Sequence, residues 1–119
     1  MAMQLKRMYI DRDGLLLFLG PVEAIVLKVL WEHDQPMTSS EIHRAAILEM
    51  DSHAAHATVD KTIRRMYAKG ILIADHTARK GHYSPAYTTE DAFIEQCITT
   101  VLTALWRDYA PYMDRSAIQ

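Results

Sequence analysis

A glycine at position 70 separates a helical stretch of the chain from an extended one. Before it, apolar side chains recur at the three- and four-residue spacing of an amphipathic helix: Val59, Ile63, Met66 and Tyr67. After it, residues 71–75 form an uninterrupted β-compatible run. Because glycine readily takes the left-handed conformation in which helices end, the sequence predicts a helix over residues 56–69 that passes directly into a strand.

The other elements follow from caps, turns and apolar spacing. In chain order they are a helix from Pro21 to about His33, a helix over about residues 39–50, the helix and strand around Gly70, a strand over residues 82–87, and a helix over residues 89–109 ended by Pro111. Thr38 and Glu41 have the spacing of a capping box at the start of the second helix. Pro85 within a strand predicts an edge position or a bulge.

This order predicts a mainly α protein with a small β-hairpin, a winged helix-turn-helix domain followed by a C-terminal dimerisation helix. We predict three regions: an N-terminal extension over residues 1–19, a DNA-binding domain over residues 20–88 and a dimerisation helix over residues 89–119. Residues 4–10 and 15–19 flank the turn signal Asp-Arg-Asp-Gly, which predicts a β-hairpin in the extension.

Composition limits the classes of function. Half of the 119 residues are hydrophobic, which suffices for a core, and the single cysteine excludes a disulfide framework. No run approaches the roughly 18 apolar residues of a membrane span, so we expect a cytoplasmic protein. The net charge of -2 argues against a non-specific nucleic-acid binder, but six of the 13 basic residues fall between positions 61 and 80. That concentration is compatible with sequence-specific binding.

The helix before Gly70 has a second, polar face with the side chains that a major-groove helix needs: Thr58, Lys61, Thr62, Arg65 and Lys69. A solvated, charged helix face is the alternative explanation of the same pattern. The basic turn at residues 77–81, which would lie along the phosphate backbone, favours DNA. Asp60 is the residue of this helix that suits DNA binding least, because phosphate repels a carboxylate. We predict that it pairs with Arg64 four residues later rather than with a cytosine amino group.

The last predicted helix carries an apolar stripe that is too wide for one helix on a small domain. We predict that half of it covers the domain and half meets a second copy of the chain, and that a symmetric dimer places its two reading helices roughly 34 Å, or a multiple of that, apart. The alternative is a helix that only closes the core of a monomer. The predicted dimerisation residues are Phe93, Ile94, Cys97, Ile98, Val101, Leu102, Leu105, Trp106 and Tyr109.

Several segments together resemble the penicillinase repressor (BlaI/MecI/CopY) family. They are Leu19-Gly20-Pro21-Val22-Glu23-Ala24 through Val29-Leu30-Trp31-Glu32, Pro36-Met37-Thr38 leading to Glu41-Ile42-His43, residues 57–70, and His82-Tyr83-Ser84-Pro85. The similarity covers about Leu19 to Trp106. It implies a homodimeric repressor on a pseudo-palindromic, double-stranded DNA operator, with an inducing protein or ligand that stays unidentified.

With the resemblance included, the predicted DNA contacts are Ser40, Ala57, Thr58, Lys61, Thr62, Arg65, Lys69, Arg79 and Lys80. Asp60 departs from the apolar or basic residue that is common in relatives, so the operator sequence of the family is not carried over. The paired-cysteine copper motif is absent. Because the chain contains no asparagine, the Asn-Phe bond that is cut during antibiotic induction in the best-known members is absent too.

Other functions have weaker support in the sequence. No phosphate loop, nucleophile elbow or zinc-protease motif is present, so we expect neither an enzyme nor a cofactor. A candidate metal site consists of His43, His53 and His56, with Glu49 and Asp51 nearby. A winged helix that contacts proteins rather than DNA, such as an antirepressor, is the main alternative function, and a small-molecule sensor with a pocket beside the last helix is another.

Overall fold

The computed structural model describes residues 14–50, 56–77 and 80–118. After a 3₁₀ turn at Gly14–Leu17, the elements are α1 (Pro21–His33), β1 (Met37–Thr38), α2 (Ser39–Ile47), α3 (His56–Ala68), β2 (Leu72–Asp75), β3 (His82–Pro85) and α4 (Glu90–Ile118). The mainly helical fold with a small antiparallel sheet confirms the predicted fold class. Within the described residues, no helix is both long and apolar enough to cross a membrane.

Local hydrogen bonds set the starts of the first two helices. The Glu23 carboxylate accepts the backbone N–H of Gly20 at 3.0 Å, before the proline at the first position of α1. At α2, the Glu41 N–H donates to Thr38 Oγ1 at 3.2 Å, and the Thr38 N–H donates to the Glu41 carboxylate at 3.0 Å. The predicted capping box is therefore confirmed, and the backbone donor of Thr38 lowers the pKa of Glu41.

The transition at Gly70 also has the predicted form. Gly70 takes a φ of 81°, in the left-handed region that favours glycine. Its N–H donates to the carbonyl of Tyr67 at 3.1 Å, and the N–H of Ile71 donates to the carbonyl of Met66 at 2.9 Å. These two bonds form a Schellman motif, which ends α3 and starts the path into β2.

The sheet has three strands rather than the predicted two. Its order is β1-β3-β2, all antiparallel, with Met37 opposite Tyr83 and Thr38 opposite His82. The two-residue β1 joins the loop before α2 to the hairpin. Pro85 is the last residue of β3 and pairs with Leu72 of β2. Because β1 ends before this position, no strand on the other side needs the backbone N–H that proline lacks.

The core lies where α1, α2, α3, the sheet and the start of α4 meet. Phe93 is fully buried, and its ring centroid lies 6.2 Å from that of Trp31 and 6.1 Å from that of Tyr87. The indole N–H of Trp31 donates to the carbonyl of Tyr87 at 2.8 Å. This aromatic cluster fixes the first turn of α4 against α1 and the segment after β3.

Two predicted elements are wrong. Residues 15–19 do not form a strand of an N-terminal hairpin, because the chain makes a 3₁₀ turn at Gly14–Leu17 and Leu15, Phe18 and Leu19 enter the core together. The first strand of that hairpin was predicted at positions outside the described residues. Pro111 does not end the last helix, which continues to Ile118. A proline removes one intrahelical hydrogen bond without preventing helical dihedrals in the residues that follow.

Cys97 is buried on the side of α4 that faces the domain, as a small apolar residue. Its burial raises the pKa of the thiol to about 12. We therefore expect the native protein at pH 8 to react with iodoacetamide at least roughly 100-fold more slowly than the same protein in guanidinium chloride, where the thiol is exposed. Mass spectrometry of quenched time points measures both rates, and equal rates would show that Cys97 is accessible.

Candidate nucleic-acid interface

Helix α3 packs one face against α1 and α2 and leaves the other open. The buried face consists of Val59, Thr62, Ile63 and Met66. The open face carries Ala57, Thr58, Lys61, Arg64 and Arg65. This arrangement brings together four of the residues that the sequence predicted as DNA contacts, and it adds Arg64, which the sequence had assigned only as the partner of Asp60.

The prediction that Thr62 contacts DNA is wrong. Its side chain is 2% exposed and its hydroxyl donates to the carbonyl of Thr58 at 2.9 Å. Thr62 lies between Val59 and Met66 on the packed face, because a helical step of 100° per residue turns it inward from Arg65. Tyr67, which was predicted to be in the core, is instead 48% exposed. Thr62 takes its place in the packed face.

Lys69 also has a different role from the predicted one. Its ammonium lies 3.1 Å from the carboxylate of Glu23, and both side chains are mostly buried, with exposed fractions of 24% and 16%. This ion pair joins the end of α3 to the first turn of α1. Because a phosphate contact would require that partly buried pair to separate, we remove Lys69 from the candidate interface.

The predicted pair between Asp60 and Arg64 is confirmed. Arg64 Nε lies 3.0 Å from Asp60 Oδ2. The structure adds a partner that the sequence did not indicate: the Ser39 hydroxyl donates to Asp60 Oδ1 at 2.9 Å. Both carboxylate oxygens of Asp60 are thus bonded, one to its own helix and one to the first residue of α2.

The hairpin between β2 and β3 forms the wing beside α3. At its start, the Thr77 N–H and hydroxyl donate to the Asp75 carboxylate at 2.9 and 2.7 Å, and the backbone donor lowers the pKa of Asp75. Lys80 is exposed near the tip. Arg79, the other predicted wing contact, lies outside the described residues. At the following Gly81, a Cβ would lie 2.9 Å from Nδ1 of the His76 side chain, so a larger residue there would require the exposed His76 ring to move.

A groove lies between the start of α2, the middle of α3 and the wing. Its lining residues are Thr38, Ser39, Ser40, Asp60, Arg64, His76, Lys80, Gly81 and Tyr83. The groove therefore brings two further predicted contacts, Ser40 and Lys80, close to the open face of α3. Both side chains are exposed.

Helix α4 divides its apolar residues between two faces. Phe93 and Cys97 are buried in their own domain, so their prediction as dimerisation residues is wrong, and Ile94 and Val101 are half-buried against the same core. The residues of the exposed stripe, with exposed fractions from 48% to 61%, are Ile98, Leu102, Leu105, Trp106 and Tyr109. We call these five residues the α4 stripe.

The candidate metal site stays a prediction. Among the side chains that the structure describes, no group of three histidine, cysteine or acidic residues is placed to hold a metal ion. His53 and the side chain of His56, two of the three histidines proposed, lie outside that part of the chain.

A comparison with protein families supports this picture. A protein-family model described as penicillinase repressor matches residues 19–115, which is more than four fifths of the chain. The matched range includes the whole groove and the α4 stripe. No curated protein matches the chain.

Proposed function

This chain belongs to the penicillinase repressor family, and from that premise we propose that it represses transcription as a homodimer bound to a pseudo-palindromic DNA operator. The family consists of transcriptional repressors with a winged helix-turn-helix DNA-binding fold; they are regulators and not enzymes. The proposal extends this to the state of assembly, the symmetry of the target and the residues that contact it.

The observation that carries the proposal is the open face of α3. This 13-residue helix exposes Thr58, Lys61 and Arg65 on the surface opposite its packed side. An α-helix fits the major groove of B-DNA, where a threonine methyl can contact thymine and cationic side chains can reach guanine or phosphate oxygens. We assign these three residues as contacts to bases and adjacent phosphates.

The two sides of the groove supply contacts that orient the helix. Ser40 lies in the first turn of α2, and Lys80 lies near the tip of the wing. From these positions both can reach phosphates on either side of the major groove, where contacts fix the register without reading sequence. The net charge of -2 is compatible with this assignment because Lys61, Arg65 and Lys80 are exposed on α3 and the wing.

The α4 stripe supplies the surface for the second copy. Its five large apolar side chains are about half exposed or more on a face that the domain does not cover. Paired stripes would bury these side chains and relate two α3 helices by a two-fold axis, which requires the operator to be pseudo-palindromic. We therefore also propose that residues 20–88 form the DNA-binding domain and that residues 89–119 form the dimerisation helix.

Removing the cations of α3 tests the proposal. We expect selection from a random DNA pool to enrich a two-fold-related site, and Lys61→Ala and Arg65→Ala each to weaken its binding by roughly 10-fold or more. Fluorescence anisotropy at several salt concentrations measures the affinities and their salt dependence. For a residue that contacts phosphate, the slope of log K against log salt falls in magnitude by about 0.9.

Lys28→Ala is the matched control, because Lys28 is an exposed lysine on α1, away from the groove. It should leave affinity unchanged. If no DNA is enriched and no salt-dependent binding is found, the proposal is wrong and a winged helix that contacts proteins becomes the better explanation.

A further inference from the structure

We infer that Arg64 reads a guanine in each half of the operator, and that Asp60 and Ser39 position it for this contact. The inference rests on the proposed DNA-binding function and adds a specificity-determining residue to it. Arg64 is not among the DNA contacts that the sequence predicted. There it was predicted only to pair with Asp60. Its place in the structure carries the argument.

Arg64 lies on the open face of α3, three residues after Lys61. Its side chain is 75% exposed, although Nε is held 3.0 Å from Asp60. It also borders the groove between α3 and the wing. The guanidinium is therefore fixed at one atom and open to the surroundings on its far side.

The geometry of the pair leaves the correct donors open. A guanidinium has five N–H donors in a planar fork. When Nε donates to a carboxylate, the edge formed by the two terminal nitrogens still presents parallel N–H bonds. Among the described residues, the partner that the structure shows for the Arg64 side chain is Asp60, and the contact is at Nε. Guanine offers two matching acceptors, O6 and N7, in the major groove, and a bidentate arginine is the commonest specific contact to it.

Asp60 is a positioning residue rather than a base contact. Ser39 Oγ donates to one of its oxygens at 2.9 Å, and Arg64 bonds the other. An unpaired carboxylate at this place would repel phosphate, whereas a paired one holds the cation. Because Ser39 is the first residue of α2, the link fixes Arg64 relative to both helices of the helix-turn-helix. An isolated ion pair within α3 would not provide this second anchor.

The test compares site selection by the full chain and by two variants. With Arg64→Ala, we expect one guanine preference in each half-site to disappear, affinity for the wild-type site to fall about 10-fold or more, and the salt slope to stay unchanged. With Asp60→Asn, we expect the same preference to weaken while the salt slope becomes steeper, because the released cation can then neutralise a phosphate. A purely structural role of Asp60 would not steepen that slope.

Arg107→Ala is the matched control. Arg107 is also 75% exposed and also pairs with an aspartate, Asp108, but on α4. It should leave the selected sequence unchanged. If wild-type protein enriches a site and Arg64→Ala enriches the same site with every guanine kept, the inference is wrong while the proposed function stands. A uniform loss of affinity with a shallower salt slope would overturn it too, since Arg64 would then contact phosphate. If wild-type protein enriches nothing, both proposals fail.

Discussion

Leu102→Asp should convert the protein to a monomer and weaken operator binding by about 100-fold or more. Leu102 is 59% exposed at the centre of the α4 stripe, with Ile98 and Trp106 one turn away on either side. In a symmetric dimer the substitution introduces two carboxylates into an apolar interface, where a charge without a partner is strongly unfavourable. In the monomer the same carboxylate stays in water, so the fold should not change.

The loss of affinity follows because a dimer holds two α3 helices together on one operator. When one α3 of a dimer is bound, the second binds its half-site at a high effective concentration, and the gain is typically 10²- to 10⁴-fold. A monomer loses that gain although every DNA contact is intact. Analytical ultracentrifugation at micromolar concentration measures the assembly, and anisotropy with the selected operator measures the affinity.

Thr103→Asp provides the matched control for this prediction. Thr103 is exposed and adjacent in sequence, but the helical step places it about 100° away from Leu102, off the stripe. It should leave both the dimer and the affinity unchanged. A wild-type protein that sediments only as a monomer, or a Leu102→Asp variant that stays dimeric, would contradict the assignment of the stripe.

The features that the sequence predicted correctly depend on local rules. The capping box needs only Thr38 and Glu41 three residues apart, and the end of α3 needs only a glycine at position 70. The order of helices and hairpin follows from the same short-range signals, which together suffice for the fold class. The pair between Asp60 and Arg64 is also local, at four residues within one helix.

Two of the features that the sequence missed depend on contacts between residues that are distant in sequence. Lys69 is drawn from the candidate interface by Glu23, 46 positions away, and the link from Ser39 to Asp60 spans 21 positions. Neither contact can be predicted from the spacing of residues within one helix. Thr62 was misplaced for a different reason: a hydroxyl suggests exposure, but a threonine can be buried when its hydroxyl donates to a carbonyl of its own helix, as it does here.

Phe93→Ala should lower the free energy of unfolding by about 3–5 kcal/mol. Phe93 is fully buried and its ring contacts both Trp31 and Tyr87. Truncation removes the ring and leaves a cavity that fixed helices cannot fill. For a chain of this size, that loss lowers the melting temperature by roughly 10–20 °C. Calorimetry or thermal circular dichroism measures the shift.

The location of Phe93 adds an effect on function to the effect on stability. It holds the first turn of α4 against α1 and the segment after β3, whereas the α4 stripe begins only at Ile98. A looser junction lets the two domains of a dimer vary in distance, and binding to a site of fixed spacing weakens as that variation grows. We therefore expect Phe93→Ala to lower operator affinity at temperatures where the protein is still folded and dimeric.

Phe93→Leu separates the two effects. Leucine fills most of the cavity, so the melting temperature should recover by more than half, and the helix should again be held in place. Operator affinity should then return close to that of the wild type. If Phe93→Ala melts within about 3 °C of the wild type, the aromatic cluster does not hold α4. If it melts much lower but binds the operator equally well while folded, Phe93 stabilises the core without fixing the spacing of the two α3 helices.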